Sequence, residues 1–341
     1  MTITSTQIQL VHRPVGWPTD ADFRTATVEY GDLTPGQVRV ANEFVSVDPY
    51  MRGRMIDTRS YIPPFTLDET MTGGAVGRVI ETTVDCLPVG TLVSHMLGWR
   101  DVAQDDTGQF RALPEPPQGV SSSVYLGVLG MTGLTAYVGL LNVAQMQPGD
   151  TVFISGAAGA VGTAAGQIAR LKGAERVIGS AGSAEKVALL TERYGYDAAF
   201  NYKDEPSVRK QLGAAAPDGI DVYFDNVGGD HLEAALDSFN DGGRAALCGA
   251  IAQYNSTERT PGPSNMANII TRGLTLKGFT VGHYFDQQAQ FTREMSGWLA
   301  GGDVVFDETV MDGIDHAVDA FLGLMRGENT GKMVVRIGSG G

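Results

Sequence analysis

The stretch TVFISGAAGAVG, Thr151 to Gly162, decides how the rest of the chain is read. Thr151 to Ser155 is a short apolar run with β-branched residues, the pattern of a buried strand. It breaks at once into Gly156, Ala157, Ala158, Gly159, Ala160, Val161 and Gly162 before helical spacing begins. Strand, tight turn of small residues, helix is the order that a dinucleotide fold requires. The first N–H groups of a helix have no intrahelical partner and carry the positive end of its dipole, so a pyrophosphate can rest on them where no Cβ obstructs. Gly159 and Gly162 are expected to leave that approach open. Ala157 replaces the first glycine of the GxGxxG pattern, and the string by itself fits a plain structural turn equally well; the flanking strand and helix favour the phosphate reading.

Thr163 to Leu171 has small and apolar residues at helical spacing and ends at Lys172 and Gly173, a cation and a glycine where a helix C-terminus favours them. Arg176 to Ser180 (RVIGS) is then a second strand, completing a βαβ unit. An NAD-specific site usually places an acid at the end of that strand to accept from the ribose 2′-OH. Here Ser180, Ala181, Gly182 and Ser183 stand there, with Lys186 one turn into the next helix. Small groups and a cation leave room and charge for a 2′-phosphate, which favours NADP. Glu185 is the counter-indication, although an acid in a first helical turn commonly compensates the dipole. Lys186 reads alternatively as a solvated helix lysine.

Working outward, Ile8 to about Val124 reads as β-rich, with strand-like stretches such as Gln37 to Val47 and Gly74 to Ile80 separated by Pro and Gly. Between them lie SVDPYMRGR (Ser46 to Arg54) and an aromatic loop through Tyr61, Pro63, Pro64 and Phe65, whose tyrosines are either cavity-lining or simply packed. Val124 to Leu141 is a compact helical stretch. Beyond the βαβ unit, Ala198 to Tyr202, Ile220 to Asn226, Gly243 to Gly249 and Leu274 to Phe279 read as further parallel strands, so a doubly wound parallel sheet is expected. Ile314 to Arg326 is a helix and Gly331 to Ile337 a strand, both able to return to the first domain. Gly338, Ser339, Gly340 and Gly341 trail behind.

The chain has 341 residues, 43% hydrophobic and 19% charged, enough for two globular domains. A net charge of −14, from 25 basic and 39 acidic residues without a basic run, argues against nucleic acid or an anionic membrane surface as partner. The opening MTITSTQIQLVHRP has neither the signature of a secretory leader nor a membrane-length span, so a cytoplasmic location is expected. Two cysteines, Cys86 and Cys248, and five scattered histidines allow neither a disulfide framework nor a four-cysteine zinc site; no metal is expected.

Six ordered motifs, GAAGAVG after a strand, SVDPYMRGR, GMTGLTAY, DNVGG, CGAIAQYN and the terminal GKMVVRI, together resemble the zinc-independent medium-chain dehydrogenase/reductases. The nearest group is that of the prostaglandin reductases, leukotriene 12-hydroxydehydrogenase, plant 2-alkenal reductases and bacterial curcumin reductase. Zinc-bearing relatives have a GHE-type motif where this chain has Gly73, Gly74 and Ala75. The resemblance implies a GroES-like catalytic domain (1–127 and 305–341) and a Rossmann NADP-binding domain with a doubly wound parallel sheet (128–304). It implies NADP(H) with pyrophosphate near Gly159, Ala160 and Val161 and the 2′-phosphate near Gly182, Ser183, Lys186 and Tyr202. Met131, Thr132, Asn226, Cys248, Ala250, Ile251, Phe279, Val281 and Asn329 fall at further cofactor-contacting positions. Tyr254 takes the position of the proposed catalytic tyrosine, Ala252 replacing the serine of SQYN. The family is often dimeric, so a homodimer is expected.

The implied reaction is reduction of an α,β-unsaturated carbonyl. Hydride delivered to the β-carbon pushes charge onto the carbonyl oxygen, and a neutral phenol aimed there stabilises the enolate. Tyr254, with a reference pKa near 10, can donate at physiological pH. Tyr50, Met51, Tyr61 and Tyr284 are the candidate substrate contacts, and their apolar, aromatic character favours a hydrophobic enone or 2-alkenal. A quinone reductase of the same fold and a non-catalytic NADPH sensor are the alternatives.

Overall fold

The computed structural model describes residues 2–338, so the trailing Ser339, Gly340 and Gly341 lie outside the described residues. The chain divides into two compact units, one running up to Gly127 and resuming at Glu308, the other Val128–Asp307. In chain order, the first unit contains β1 (Ile3–Leu10), β2 (Phe23–Tyr30), β3 (Gln37–Ser46), the short helix α1 (Tyr50–Arg54), β4 (Ala75–Thr82), β5 (Leu92–His95), β6 (Val102–Asp106) and β7 (Arg111–Ala112). The second contains α2 (Met131–Val138), β8 (Thr151–Ile154), α3 (Ala160–Leu171), β9 (Arg176–Ala181), α4 (Ala184–Glu192), β10 (Ala198–Asn201), α5 (Val208–Ala215) and β11 (Ile220–Asp225). It continues through α6 (Gly229–Ser238), β12 (Phe239–Leu247), α7 (Ala267–Thr271), β13 (Thr275–Gly278) and α8 (Gln288–Gly301). β14 (Glu308–Asp312), α9 (Ala317–Arg326) and β15 (Lys332–Arg336) return to the first unit.

In the first unit β3 is central, pairing antiparallel with β4, β6 and β15. Val38 and Val40 on β3 meet Val79, Leu87, Val93, Ala103 and Phe110 in one core cluster. The C-terminal strand is fastened by a buried ion pair. Lys332 Nζ lies 3.1 Å from Asp48 Oδ1 and donates to the carbonyls of Val47 and Met333, both at 2.8 Å. Breaking such a pair by removing one partner typically costs about 3–5 kcal/mol, because an uncompensated charge stays buried. The SVDPYMRGR segment enters α1 at Tyr50, two residues after Asp48, so this pair also anchors the chain entering that helix.

The second unit is a six-stranded parallel sheet in the order β10-β9-β8-β11-β12-β13. Counting from β8 this is 3-2-1-4-5-6, the dinucleotide-binding topology, with its order reversing between β8 and β11. Val152, Phe153 and Ile154 are fully buried there. The Phe153 ring stacks on Tyr223 at 5.0 Å and on Phe200 at 5.9 Å, with Ile178, Leu212 and Leu236 completing the cluster.

Some sequence expectations shift. The helix after the glycine turn begins at Ala160, three residues earlier than its apolar pattern suggested. Val124 to Leu141 is not one helix: a 3₁₀ turn (Ser122–Tyr125), α2 and a π turn (Gly139–Val143) divide it. Residues 305–307 fall in the second unit, where Gln167 both donates to and accepts from the Val305 backbone and Arg193 pairs with Asp307 at 2.7 Å. Among the described residues no helix is long and apolar enough to cross a membrane.

His95 makes a pH-dependent contribution to the first unit. Its Nδ1 accepts the Leu97 N–H at 3.2 Å, which assigns the proton to Nε2, the donor to Asn42 Oδ1 at 2.8 Å. Burial holds its pKa down at about 3. The unfolded chain therefore binds this proton from about pH 6.5 downward while the folded one does not, so stability falls as pH drops through that window. Denaturant unfolding between pH 7 and pH 4 should show His95→Gln with a stability slope shallower by up to about 1.4 kcal/mol per pH unit than the parent; parallel slopes would contradict the assignment.

Candidate active site

The six parallel strands all end at the same edge, and open α/β sheets bind ligands beyond the carboxyl ends of their strands. The segments there carry most of the residues singled out from the sequence. Beyond β8 come Gly159, Ala160 and Val161; beyond β9, Gly182 and Ser183; beyond β10, Tyr202; beyond β11, Asn226; beyond β12, Cys248, Ala250, Ile251 and Tyr254; beyond β13, Phe279 and Val281. Met131 and Thr132 instead open α2 in the same unit, Met131 partly exposed and Thr132 buried. Asn329 belongs to the first unit, buried, with its Nδ2 donating to the Gly331 carbonyl at 2.9 Å.

The glycine turn divides its labour differently from expectation. A Cβ on Gly159 would meet nothing closer than the Gly156 carbonyl at 3.4 Å, so this position is open. A Cβ on Gly162 would fall 2.6 Å from the Ala157 backbone. Gly162 is therefore there for close packing of helix against turn and not, as expected, to clear a path for phosphate. Gly159 caps α3 without a side-chain hydrogen bond, whereas α4 is capped by its own Ser183, whose Oγ accepts the Lys186 N–H at 3.3 Å. The α3 start is thus the one of these two helix starts that lacks a side-chain cap, as a pyrophosphate cradle requires.

At the end of β9 and β10, a Cβ on Gly182 would lie 3.0 Å from the Tyr202 hydroxyl and 3.3 Å from Lys203 Cε. Gly182, Tyr202 and Lys203 therefore converge, with Ser183 and Lys186 following in the start of α4. Burial, and then the charge of Lys203, lowers the Lys186 pKa. Two ammonium groups close enough to repel, beside a phenol and a helix start, suit a dianion such as a 2′-phosphate. Lys203 was missed from the sequence because no motif marks it; its adjacency to Tyr202 after a predicted strand was the available signal. Glu185 turns its carboxylate back onto the α4 start, where its own backbone N–H and the Ser183 hydroxyl lower its pKa, so it caps the helix.

Asp225 fixes the centre of this edge. One carboxylate oxygen accepts from the Tyr223 hydroxyl at 2.7 Å, the Ser155 hydroxyl at 3.2 Å, and the N–H groups of Val227 and Gly228 at 2.9 and 2.7 Å. Its carbonyl accepts the N–H groups of Cys248 and Gly249 at 2.9 and 3.0 Å. Asn226 is pinned by its Nδ2 to the Ser155 carbonyl at 2.8 Å. Tyr254 follows a 3₁₀ turn (Ile251–Gln253), half-buried, and its hydroxyl returns over Gly249, where a Cβ would stand 3.5 Å away. Burial raises the Tyr254 pKa against a backbone hydrogen bond at Ala250 that lowers it. Burial, with Asp225 nearby, pushes the Cys248 thiol up to about 12.

Of the substrate candidates, Tyr284 is half-buried and edge-on to Phe279 at 6.2 Å in the second unit. Tyr50, Met51 and Tyr61 lie in the first. Tyr50 starts α1, its phenol pushed up by burial and by the Asp48 carboxylate. Tyr61 is largely exposed. Met51 has no exposed surface and its Cε lies where a Gly73 Cβ would point, so it packs beneath α1 and offers no surface for direct contact.

The family described as "N-terminal domain of oxidoreductase" matches residues 6–113, and that described as "Zinc-binding dehydrogenase" matches residues 160–300. The chain is 42% identical to the protein YfmJ of Bacillus subtilis (strain 168) over 339 residues, covering 99% of each. It is 38% identical to the NADPH-dependent curcumin reductase of Escherichia coli (strain K12), over 96% of this chain and 95% of that one. Its fold superposes on CurA from Vibrio vulnificus in complex with NADPH with a TM-score of 0.91, at 38% identity, covering 98% and 100% of the two chains. The chain belongs to the zinc-independent medium-chain dehydrogenase/reductases, in the group of the prostaglandin, curcumin and 2-alkenal reductases. It is an NADP-dependent oxidoreductase with a GroES-like domain and a Rossmann domain. Among the described residues of this reductase, no three His, Cys, Asp or Glu side chains gather into a metal-sized group.

If the cations at the β9 and β10 ends hold the 2′-phosphate, Lys186→Ala and Lys203→Ala should each weaken NADPH by roughly tenfold and leave NADH within about twofold, the loss of one charge-assisted contact. Fluorescence titration of reduced cofactor reads both; equal losses for the two cofactors would remove the 2′-phosphate from this place.

Proposed function

We propose that this enzyme reduces the carbon–carbon double bond of α,β-unsaturated aldehydes and ketones, with Tyr254 as the hydroxyl donor to the carbonyl oxygen. The observation that carries the proposal is the placement of Tyr254: its phenol oxygen sits over Gly249 at the carboxyl ends of β11 and β12, and burial raises its pKa. A phenol kept protonated can donate to an oxygen on which charge develops; a phenolate would repel it. Bound NADPH would supply the hydride to the β-carbon, and a proton taken up at the α-carbon completes the reduction and discharges the enolate. The protein supplies a fixed donor, and Asp225 fixes it by holding the Cys248–Gly249 backbone over which the phenol lies. Cys248, with its thiol pushed up to about 12, stays neutral beside it and adds no competing negative charge.

Aromatic and aliphatic groups beside this edge, Phe279, Tyr284 and Ile251, support a hydrophobic or aromatic enone or a 2-alkenal as substrate. That the E. coli relative is named for curcumin reduction agrees with such a class.

The test is NADPH oxidation followed by absorbance with a 2-alkenal, an aromatic enone and a quinone offered separately. Turnover of the enones, with NADPH preferred to NADH, is expected; quinone-only turnover would assign the enzyme to quinone reduction. Tyr254→Phe should lower kcat with an enone by about 10²- to 10³-fold, as for loss of one preorganised donor, with NADPH affinity unchanged. A Tyr254→Phe enzyme with wild-type kcat would overturn the role given to the phenol.

A further inference from the structure

His231 has no place in the chemistry above, yet it is built into the same edge of the second unit. It lies in the first turn of α6, almost fully buried. Its ring is parallel to Phe153 at 6.5 Å and meets Tyr202 in an edge arrangement at 5.2 Å and 73°. Through Phe153 it joins the aromatic stack that fills the core beneath β8 and β11. Tyr202 is different in kind: its backbone N–H is held by the Ala181 carbonyl at 3.1 Å, but it is 37% exposed. A half-exposed tyrosine whose hydroxyl must stay over Gly182 needs lateral support for its ring. His231 supplies it from the core, and Lys203 holds its ammonium over the ring, 5.9 Å from the centroid.

We propose that His231 is a positioning residue for the 2′-phosphate subsite: it props the Tyr202 ring so that the phenol stays beside Lys186 and Lys203, and thereby contributes to the choice of NADP over NAD. The inference rests on the reading of that cluster as the 2′-phosphate subsite. It asks for an aromatic edge and no charge from His231. Burial holds the imidazole pKa down at about 4, so the ring is neutral at physiological pH and adds no third cation. The groups around it agree: Phe153 and Tyr223 behind it are uncharged rings, Asp230 precedes it on the exposed side of α6, and Lys203 stands over the Tyr202 ring.

The discriminating ligands are 2′,5′-ADP and 5′-AMP, which differ by the phosphate alone and need no turnover. Calorimetric titration of His231→Leu, which keeps side-chain volume and removes the ring, should show 2′,5′-ADP weakened by roughly three- to tenfold with 5′-AMP within about twofold. His231→Phe, which keeps the ring, should bind both within about twofold of the parent. Loss of both ligands alike in His231→Leu, or an equal loss in His231→Phe, would show a role in packing or in imidazole chemistry and would overturn the inference. Tyr202→Ala serves as reference. If it weakens 2′,5′-ADP while His231→Leu does not, the propping role fails; if Tyr202→Ala binds 2′,5′-ADP like the parent, the subsite reading itself fails.

Discussion

Everything at the working edge of this enzyme depends on a single buried carboxylate. Asp225 ends β11 and gathers four donors onto one oxygen, while its backbone carbonyl takes two more from the end of β12. Burial raises its pKa and these bonds pull it back. The consequence is geometric: the ends of β8, β11 and β12, at the place where strand order reverses, form one hydrogen-bonded unit. Asn226, Gly249 and Tyr254 inherit fixed positions from it. Buried polar networks specify a unique arrangement when every member is satisfied, and this one places its members where a parallel sheet receives ligands.

Around that centre the protein sorts its charges. Lys186 and Lys203 stand at the ends of β9 and β10, where a doubly charged phosphate would relieve their repulsion, and burial raises the pKa of Tyr254. The first unit uses burial in the opposite way: Lys332 and Asp48 are both charged, nearly inaccessible and mutually compensated, which ties a C-terminal strand to the entry of α1. Catalysis of this kind asks little covalent chemistry of the chain, because the cofactor carries it. It asks for donors that hold still.

Much of this was legible in the sequence. The parallel sheet could be read because each of its strands is a short apolar run ended by small or polar residues, and the glycine turn because strand and helix flank it. The resemblance carried by six motifs supplied most of the candidate cofactor positions, which the fold gathers at the strand ends. What the sequence hid is what depends on distance in space. Lys203 has no motif. Gly162 looked like a phosphate glycine and is a packing glycine, since only the fold brings Ala157 beneath it. Met51 looked like a pocket residue and is core, because a one-turn helix turns it inward at Gly73. His231 appeared as one of five scattered histidines, and only the α6–β10 juxtaposition sets it against Tyr202. Residues 305–307 lacked any boundary signal, and the Gln167 and Arg193 contacts that hold them are long-range.

The central claim is that hydride goes to the β-carbon while the carbonyl oxygen rests on a phenol. Its most direct test is to reduce a 2-alkenal with NADPH carrying deuterium at the transferring position of nicotinamide C4 and to locate the label by NMR. The account predicts a saturated aldehyde with deuterium on C3. Deuterium on C1 of an allylic alcohol would show direct carbonyl reduction and contradict it.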